Sequence, residues 1–360
     1  MLIIFWCLVI GSILIKKPNF FPPLIIAFLV VINYNAPNVA DFMSYNNIYN
    51  SITDKALYQT GYGWYVLNNL GRTFGLDYNH YKMWTIIIAG CCIWMVSRIL
   101  VGEGANIIAG LYLLYPALLD TVQLRFYTAM TIVLIGILFL VKQRPWSTAI
   151  FIVFVLVAYT IHSSTIFYIV FAFYPIIDKI SDKLKYVIVG ISILLVIFKS
   201  KLLGLVYYVA NVRQLQYLDS AYGVTSGSSY VLVIAIMSIV IIYFINNRIY
   251  TTLINSNTFI SESDKRTVST IRGISLMMFL LIPLVILSGE FFRVFRIIFI
   301  LSYISIAILS KYNYRYQIEN IKYNGRLFEF KSQFLGLIIA VVAFMINILY
   351  LSPDAFNSYF

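Results

Sequence analysis

Charged residues are scarce in this chain of 360 residues: Asp, Glu, Lys and Arg make up 11%, whereas hydrophobic residues make up 61%. A soluble domain cannot bury so much apolar surface, because too small a share of a folded chain lies away from water. The composition therefore excludes an ordinary soluble protein. It predicts an all-α fold, in which apolar helices span a bilayer and satisfy their own backbone hydrogen bonds.

Cysteine and histidine are also rare, with three and two copies. The cysteines, Cys7, Cys91 and Cys92, all lie within apolar runs, so they provide neither a disulfide framework nor zinc-ligand spacing. Glycine-rich phosphate loops and the HExxH pattern are missing as well. From these absences the sequence predicts no metal, no cofactor and no use of nucleotide hydrolysis.

What the chain does contain is a series of apolar runs separated by short polar connections. They predict a polytopic bundle of about 12 helices, some short or re-entrant, that forms a single transmembrane domain over residues 1–360. The runs are Leu2–Ile15, Phe21–Tyr34, Met83–Val101, Ala105–Leu119, Phe126–Val141, Trp146–Ile161, Ser163–Ile177, Tyr186–Phe198, Tyr230–Ile245, Gly273–Ser288, Val294–Ser310 and Phe334–Leu351. The first run lacks the basic start and the cleavage site of a signal peptide, so it is interpreted as a helix.

The basic residues, which give the chain a net charge of +12, lie mostly in the connections. This placement indicates topology and not nucleic-acid binding. The stretch Trp146–Ile177 decides the topology, because it is long for one helix and barely long enough for two. With two helices meeting near His162 and an outer N-terminus, 17 of the 26 basic residues face the cytoplasm; with one helix, 10 do. The 17 are Lys16, Lys17, Arg98, Lys142, Arg144, Lys179, Lys183, Lys185, Arg248, Lys265, Arg266, Arg272, Lys311, Arg315, Lys322, Arg326 and Lys331. The positive-inside rule therefore favours a break at His162 and places both termini outside.

Two loops on the outer side are long, residues 35–82 and 206–229. The first contains Asp41, Tyr45 and Tyr49, spaced four residues apart, which would place them on one face of a helix. A carboxylate beside aromatic rings suits a sugar. The alternative is an aromatic belt at the membrane surface beside a solvated aspartate.

Two further candidates lie at the outer ends of predicted helices. Gln123 and Arg125 precede one helix, where the arginine either extends to lipid headgroups or binds a phosphate through its forked guanidinium. His162 lies at the predicted break, where an imidazole is either structural or an acid, a base or a phosphate partner.

A last group of candidates comes late in the chain. Glu290, Arg293 and Arg296 recur every three residues, so they form either an ion pair with a headgroup contact or a second cationic cluster. Arg213, in the second outer loop, is a further candidate of the same kind. Arginines, a histidine and a carboxylate on the outer side together match an anionic headgroup, such as a lipid-linked pyrophosphate.

These residues resemble, in order along most of the chain, the motifs of the EpsG family of Wzy-like polysaccharide polymerases. The matching stretches are Lys16–Lys17, Asp41 with Tyr45 and Tyr49, Tyr62–Leu70 with Phe74–Leu76, Gln123–Ala129, Lys142–Arg144, Ala158–Ser164, and Arg293 with Arg296. The chain departs from the family at two places. Asn33, Tyr34 and Asn35 stand where the family often has an arginine, and Gln59 and Thr60 where it tends to have a glutamate.

The resemblance implies a GT-C-like helix bundle in the bacterial cytoplasmic membrane, with a site that faces the periplasm or exterior. It implies a metal-independent glycosyltransferase that joins polyprenyl-pyrophosphate-linked oligosaccharide repeat units into a capsule, O-antigen or exopolysaccharide. The expected partners are that lipid-linked oligosaccharide, the bilayer, and a chain-length regulator and flippase of the same pathway. The expected catalytic residues are Arg125, His162 and Asp41. The expected substrate-binding residues are Arg293, Arg296, Glu290, Gln123, Tyr45, Tyr49 and Arg213.

Two other classes of membrane protein remain as alternatives. A flippase for lipid-linked oligosaccharide would commonly show internal repeats and charged or broken helices at mid-membrane, whereas here no repeat is visible and the ionisable residues lie towards the outer face. A membrane acyltransferase that modifies glycans would also use an arginine and a histidine.

Overall fold

The computed structural model describes residues 1–15, 19–34, 36–51, 61–177, 182–198, 228–255, 260–287, 289–318 and 329–360. Among these residues the regular elements are all helical, as the composition predicts. The α-helices are α1 (Leu2–Leu14), α2 (Phe21–Asn33), α3 (Phe42–Asn50), α4 (Tyr62–Thr73), α5 (Tyr78–Val101), α6 (Ala105–Tyr112), α7 (Leu118–Val122), α8 (Leu124–Lys142), α9 (Ser147–Ile161), α10 (Tyr174–Ile177), α11 (Asp182–Ile197), α12 (Ser228–Asn255), α13 (Glu262–Met277), α14 (Ile282–Leu287), α15 (Arg296–Ile318), α16 (Glu329–Phe344) and α17 (Pro353–Asn357). Short 3-10 helices cover Gly102–Gly104, Ser163–Phe173, Met278–Leu281 and Gly289–Phe295, and π-helical turns cover Leu113–Ala117 and Met345–Tyr350.

Each of the twelve predicted runs coincides with helix in the structure. Within the described ranges, six helical stretches are long and apolar enough to cross a membrane: Tyr78–Val101, Ala105–Val122, Leu124–Lys142, Val231–Ile254, Glu262–Val285 and Phe291–Tyr312. Six shorter apolar helices account for the other runs: Leu2–Leu14, Phe21–Asn33, Ser147–Ile161, Ser163–Phe173, Tyr186–Ile197 and Gly336–Ile348. The prediction of a polytopic helical membrane bundle with several short helices is confirmed.

The predicted break at His162 is present. Helix α9 ends at Ile161, His162 has extended backbone angles (φ −142°, ψ 115°), and a 3-10 helix begins at Ser163. The hydroxyl of Thr165 donates to the carbonyl of His162 at 2.8 Å. Short polar side chains that bond to nearby backbone compete with a continuous helix, so the break has a local cause in an otherwise apolar stretch.

Several helices extend beyond the apolar runs that predict them. Helix α12 continues to Asn255, and α13 begins at Glu262, eleven residues before the predicted start at Gly273. Ser261 caps α13, because its hydroxyl accepts a hydrogen bond from the backbone N–H of Asp264 at 3.1 Å. Hydropathy locates the part of a helix that suits lipid, whereas caps and helix propensity set where the helix ends.

Contacts divide the described residues into two compact units, and the first comprises residues 1–166 and 299–360. Within this unit α8 and α9 are joined by a short turn and pack closely, so they run antiparallel. Gly136 permits this approach, since a Cβ atom there would lie 2.8 Å from Cβ of Phe154. Gly110 of α6 likewise contacts Ser12 of α1. Small residues at such positions let membrane helices approach closely.

The second unit comprises residues 167–298. Polar pairs hold its helices together: the amide of Asn246 donates to the hydroxyl of Ser275 at 2.8 Å, and the hydroxyls of Tyr174 and Thr270 lie 2.8 Å apart. The side chains of both Asn246 and Ser275 are buried. Each hydrogen bond satisfies groups that neither lipid nor an apolar core could satisfy.

Candidate functional site

Arg125 lies in the first turn of α8, directly after the non-helical residue that separates α8 from α7. Gln123 separates α7 from α8 with backbone angles of φ −94° and ψ 58°, outside the helical range. Both side chains are half-buried. The Oε1 atom of Gln123 is buried, and among the described residues it has no hydrogen-bond partner. A buried carbonyl oxygen of this kind is suited to accept a hydrogen bond from a ligand, because leaving it unsatisfied is costly.

His162 lies beside the start of α8. Because α8 and α9 form an antiparallel hairpin, the end of α9 meets the beginning of α8. The imidazole ring of His162 contacts the ring of Phe126 edge to face, with centroids 5.4 Å apart and planes at 85°. Phe126 follows Arg125 in the sequence. The structure therefore brings Arg125 and His162, two residues 37 positions apart in the sequence, to the same end of one hairpin.

The hydrogen bonds of His162 define which ring nitrogen carries its proton. The backbone N–H of Ser164 donates to Nδ1 at 3.3 Å, and the hydroxyl of Ser164 lies 2.8 Å from the same atom. A backbone N–H can only donate, so Nδ1 accepts and the neutral ring carries its proton on Nε2. In this form the imidazole can donate a hydrogen bond through Nε2 to an oxyanion.

The predicted face formed by Asp41, Tyr45 and Tyr49 is only partly realised. Asp41 precedes α3 in a left-handed conformation (φ 63°) and is exposed, while Tyr45 is half-buried and its ring lies 6.1 Å from that of Trp64. Tyr49 is buried, its hydroxyl donates to the carbonyl of Leu76 at 2.7 Å, and its ring stacks on another tyrosine of the chain. Asp41 and Tyr45 thus stay accessible, whereas Tyr49 has the contacts of a core residue.

Helix α4, which lies in the first of the two long loops, rests on the end of α9 beside His162. Gly61 has a φ of 90°, and a Cβ atom there would lie 2.8 Å from the carbonyl oxygen of Thr160. A Cβ atom on Gly63 would lie 2.8 Å from Cγ1 of Ile161. Both contacts involve the residues just before His162, so two glycines allow the backbone of α4 to approach the break.

Arg293, Arg296 and Glu290 belong to the second unit. Glu290 and Arg293 lie in the 3-10 helix Gly289–Phe295, and Arg296 begins α15 and is buried. The hydroxyl of Tyr168 donates to the carbonyl of Val294 at 2.8 Å, so the 3-10 helix that follows His162 contacts the segment that carries these arginines. Arg213 and most of the second long loop lie outside the described residues.

Asp120 is a candidate that the sequence reading missed. Its side chain is fully buried in α7, and Oδ2 accepts a hydrogen bond from the hydroxyl of Tyr112 at 3.0 Å. This bond joins α6 to α7 across a non-helical interruption at Tyr115 and Pro116. A carboxylate inside an apolar span is the signal that could have identified it.

Thr121, the next residue of α7, makes a second contact that the sequence did not indicate. Its hydroxyl lies 3.2 Å from the hydroxyl of Tyr359, which donates to Oδ1 of Asn33 at 2.8 Å. Burial raises the pKa of the Tyr359 hydroxyl, so this group stays protonated and able to donate. Asp120 and Thr121 together hold the short helix that leads to Gln123 and Arg125.

The second histidine, His80, pairs with Asp77 at the start of α5. The backbone N–H of His80 donates to Oδ1 of Asp77 at 2.9 Å, which lowers the pKa of the carboxyl group because the bond favours the charged form. The two side chains are exposed and form a helix cap. Within the described part of the chain, no group of three or more His, Cys, Asp or Glu residues is placed to hold a metal ion.

No curated protein and no solved structure matches this chain. One family model does match, that of the EpsG family, and the match runs from residue 19 to residue 360. It includes the start of α8 and the break at His162, and it covers the residues that carry the resemblance from Asp41 onwards. With the helical membrane bundle described above, this match shows that the chain belongs to the EpsG family, a family of polysaccharide polymerase-like membrane proteins.

Proposed function

We propose that the protein polymerises polyprenyl-pyrophosphate-linked oligosaccharide repeat units at the outer face of the bacterial cytoplasmic membrane. The observation that carries the proposal is the placement of Arg125 and His162 at the same end of the α8–α9 hairpin, where Phe126, the residue after Arg125, contacts the ring of His162. A guanidinium and an imidazole whose Nε2 donates are the groups that an anionic leaving group requires. The distribution of basic residues supports an outer position for this end of the hairpin.

The reaction joins two substrates through one carbon–oxygen bond. A hydroxyl oxygen of the acceptor repeat unit attacks the anomeric carbon of the donor glycan. The bond between that carbon and the pyrophosphate oxygen breaks, and the lipid pyrophosphate leaves with the electron pair. The hydroxyl proton passes to a base, a role that we assign to the exposed carboxylate of Asp41.

Each predicted site residue is assigned a role in this reaction. Arg125 offsets the charge that develops on the pyrophosphate, and His162 donates to a phosphate oxygen through Nε2. The buried Oε1 of Gln123 accepts a hydrogen bond from a sugar hydroxyl. Further substrate-binding roles are assigned to Arg293, Arg296, Glu290 and Arg213, as the resemblance to the family implies. The polymer formed is a capsule, an O-antigen or an exopolysaccharide.

Glycan analysis of a strain that lacks the protein tests the proposal. We expect loss of the long polymer while single repeat units are still displayed on the surface or accumulate on their lipid at the outer leaflet. Lipid-linked units retained at the inner leaflet would instead indicate a flippase. A full-length polymer that lacks acyl groups would indicate an acyltransferase, and either result would overturn the proposal.

A further inference from the structure

Helix α4 carries an exposed apolar stripe. Tyr62, Val66, Leu70 and Phe74, the last of which ends the helix, follow one another at four-residue spacing and are 66, 43, 52 and 72% exposed. The opposite face is buried and contains Trp64, Asn68 and Gly71. With 3.6 residues per turn, the two sets lie on opposite sides of the helix.

Both ends of α4 are attached to the ends of apolar spans. At its start, Gly61 and Gly63 contact Thr160 in the last turn of α9. Near its end, a Cβ atom on Gly71 would lie 3.1 Å from Cε2 of Tyr81, in the first turn of α5. Twelve residues of α-helix extend about 18 Å. Helix α4 therefore runs from the end of one span to the beginning of another, across the end of the bundle and not through it.

The level at which α4 lies follows from these attachments. Helices α5 and α9 change from apolar to polar surroundings at the ends that α4 touches, which is where lipid headgroups meet acyl chains. Its two consecutive asparagines, Asn68 and Asn69, and Arg72 make α4 unsuited to cross a bilayer. A short helix with one apolar and one polar face is suited to lie within that boundary.

The stripe also continues a surface that already faces lipid. On α5, Trp84, Ile88, Met95 and Ile99 are 53, 60, 44 and 57% exposed and lie on one side of the helix. On a membrane span, an exposed apolar side of this kind contacts acyl chains. Helix α4, which contacts the first turn of α5, presents exposed side chains of the same kind.

We propose that α4 lies in the plane of the membrane and inserts its stripe among the lipid acyl chains at the headgroup boundary. The occupant of the stripe is the bilayer itself. Insertion fixes the depth of α4 and holds its glycine-rich start against Thr160, beside His162. The inference depends on the chain being a membrane protein and is independent of the proposed reaction.

Spin labelling of the full-length protein tests this placement. Cys7, Cys91 and Cys92 are first replaced by alanine, and single cysteines are then introduced by Tyr62→Cys, Val66→Cys, Leu70→Cys and Phe74→Cys. Two reference variants are Ile88→Cys, for the lipid-facing side of α5, and Asn47→Cys, at an exposed position of α3. Each labelled protein is reconstituted into vesicles of phosphatidylethanolamine and phosphatidylglycerol without substrate, and its accessibility to oxygen and to a water-soluble nickel chelate is measured.

We expect the four stripe labels to resemble Ile88, with oxygen accessibility several-fold above nickel accessibility, because oxygen partitions into acyl chains and the chelate does not. Labels that resemble Asn47 would show that the stripe faces water. Labels closed to both reagents would show that protein covers it, from a second copy or from another partner. Either of these patterns over the four positions would overturn the proposal.

Discussion

The hydroxyl of Tyr359 donates a hydrogen bond to Oδ1 of Asn33, a residue 326 positions earlier in the sequence. The same hydroxyl lies 3.2 Å from that of Thr121 in α7. The contact explains one departure from the family pattern in physical terms. Asn33, which lies in the region where the family often has an arginine, is buried and bonded within the protein, so it contributes to packing.

Replacing Tyr359 with phenylalanine should destabilise the fold. The ring stays, but the buried Oδ1 of Asn33 loses its donor, which costs about 1–3 kcal/mol. We expect a lower apparent unfolding temperature of the purified protein in detergent. Tyr159→Phe is the control. Tyr159 is 47% exposed, so removing its hydroxyl leaves no buried group of the protein without a hydrogen-bond partner. An equal effect of the two substitutions would contradict the role of Tyr359.

Asp120→Ala should destabilise the protein by a similar amount, since the hydroxyl of Tyr112 would lose its buried acceptor at a cost of about 1–3 kcal/mol. Asp120→Asn, which keeps an acceptor oxygen, should have a smaller effect. If the bond between the two residues is the cause, Asp120→Ala combined with Tyr112→Phe costs less than the sum of the single changes. If the decrease in unfolding temperature of the double variant equals the sum of the two single decreases, this coupling is refuted. Asp354→Asn, at an exposed site, serves as the control.

The assignment of the His162 proton to Nε2 predicts an order of activity among substitutions. Glutamine places its amide near the position of Nε2 and asparagine near that of Nδ1, so His162→Gln should retain more polymerisation than His162→Asn. His162→Ala should lower the rate by about 10²–10³-fold, the usual cost of losing one donor to a developing anion. Polymer formed per unit of membrane protein is the measurement. If His162→Asn formed as much polymer as His162→Gln, or more, the assignment would be contradicted.

Gly63→Ala should reduce both activity and stability. The added methyl group would lie 2.8 Å from Cγ1 of Ile161 and 2.9 Å from the backbone carbon of Thr160, so α4 must move away from the break at His162. Overpacking of this kind costs about 1–3 kcal/mol. Gly190→Ala is the matched control, because a Cβ atom there meets nothing within 4 Å. Unfolding temperature and polymer yield should both fall for Gly63→Ala and stay unchanged for Gly190→Ala.

Hydropathy and charge predicted the fold well because both depend on whether a segment lies in lipid or in water. Lipid requires apolar runs, and each predicted run coincides with a helix. The break at His162, which followed from counting basic residues, is present as an extended residue between two helices. Helix ends were less predictable. Ser261 and the charged residues after it extend α13 well before its apolar part begins, and hydropathy carries no information about caps.

The site was predictable only where its residues are close in the sequence or carry charge. Gln123, Arg125 and His162 stood out because polar groups at helix ends are uncommon in such a chain. The burial of Tyr49 and the contact between Tyr359 and Asn33 depend on residues that are distant in the sequence. Periodicity assigned Tyr49 to a face of a helix, and only the packing of that helix determines that Tyr49 itself is buried.

Polymer length in a strain that carries Arg125→Ala tests the central claim most directly, with Arg144→Ala as the matched control. Both arginines belong to the α8–α9 hairpin, but Arg144 lies in the exposed turn at the opposite end from His162. Each variant replaces the wild-type protein in its own host, membrane levels are equalised, and the glycan is resolved by gel electrophoresis. The account predicts single repeat units for Arg125→Ala and the wild-type ladder for Arg144→Ala. A wild-type ladder from Arg125→Ala would contradict it.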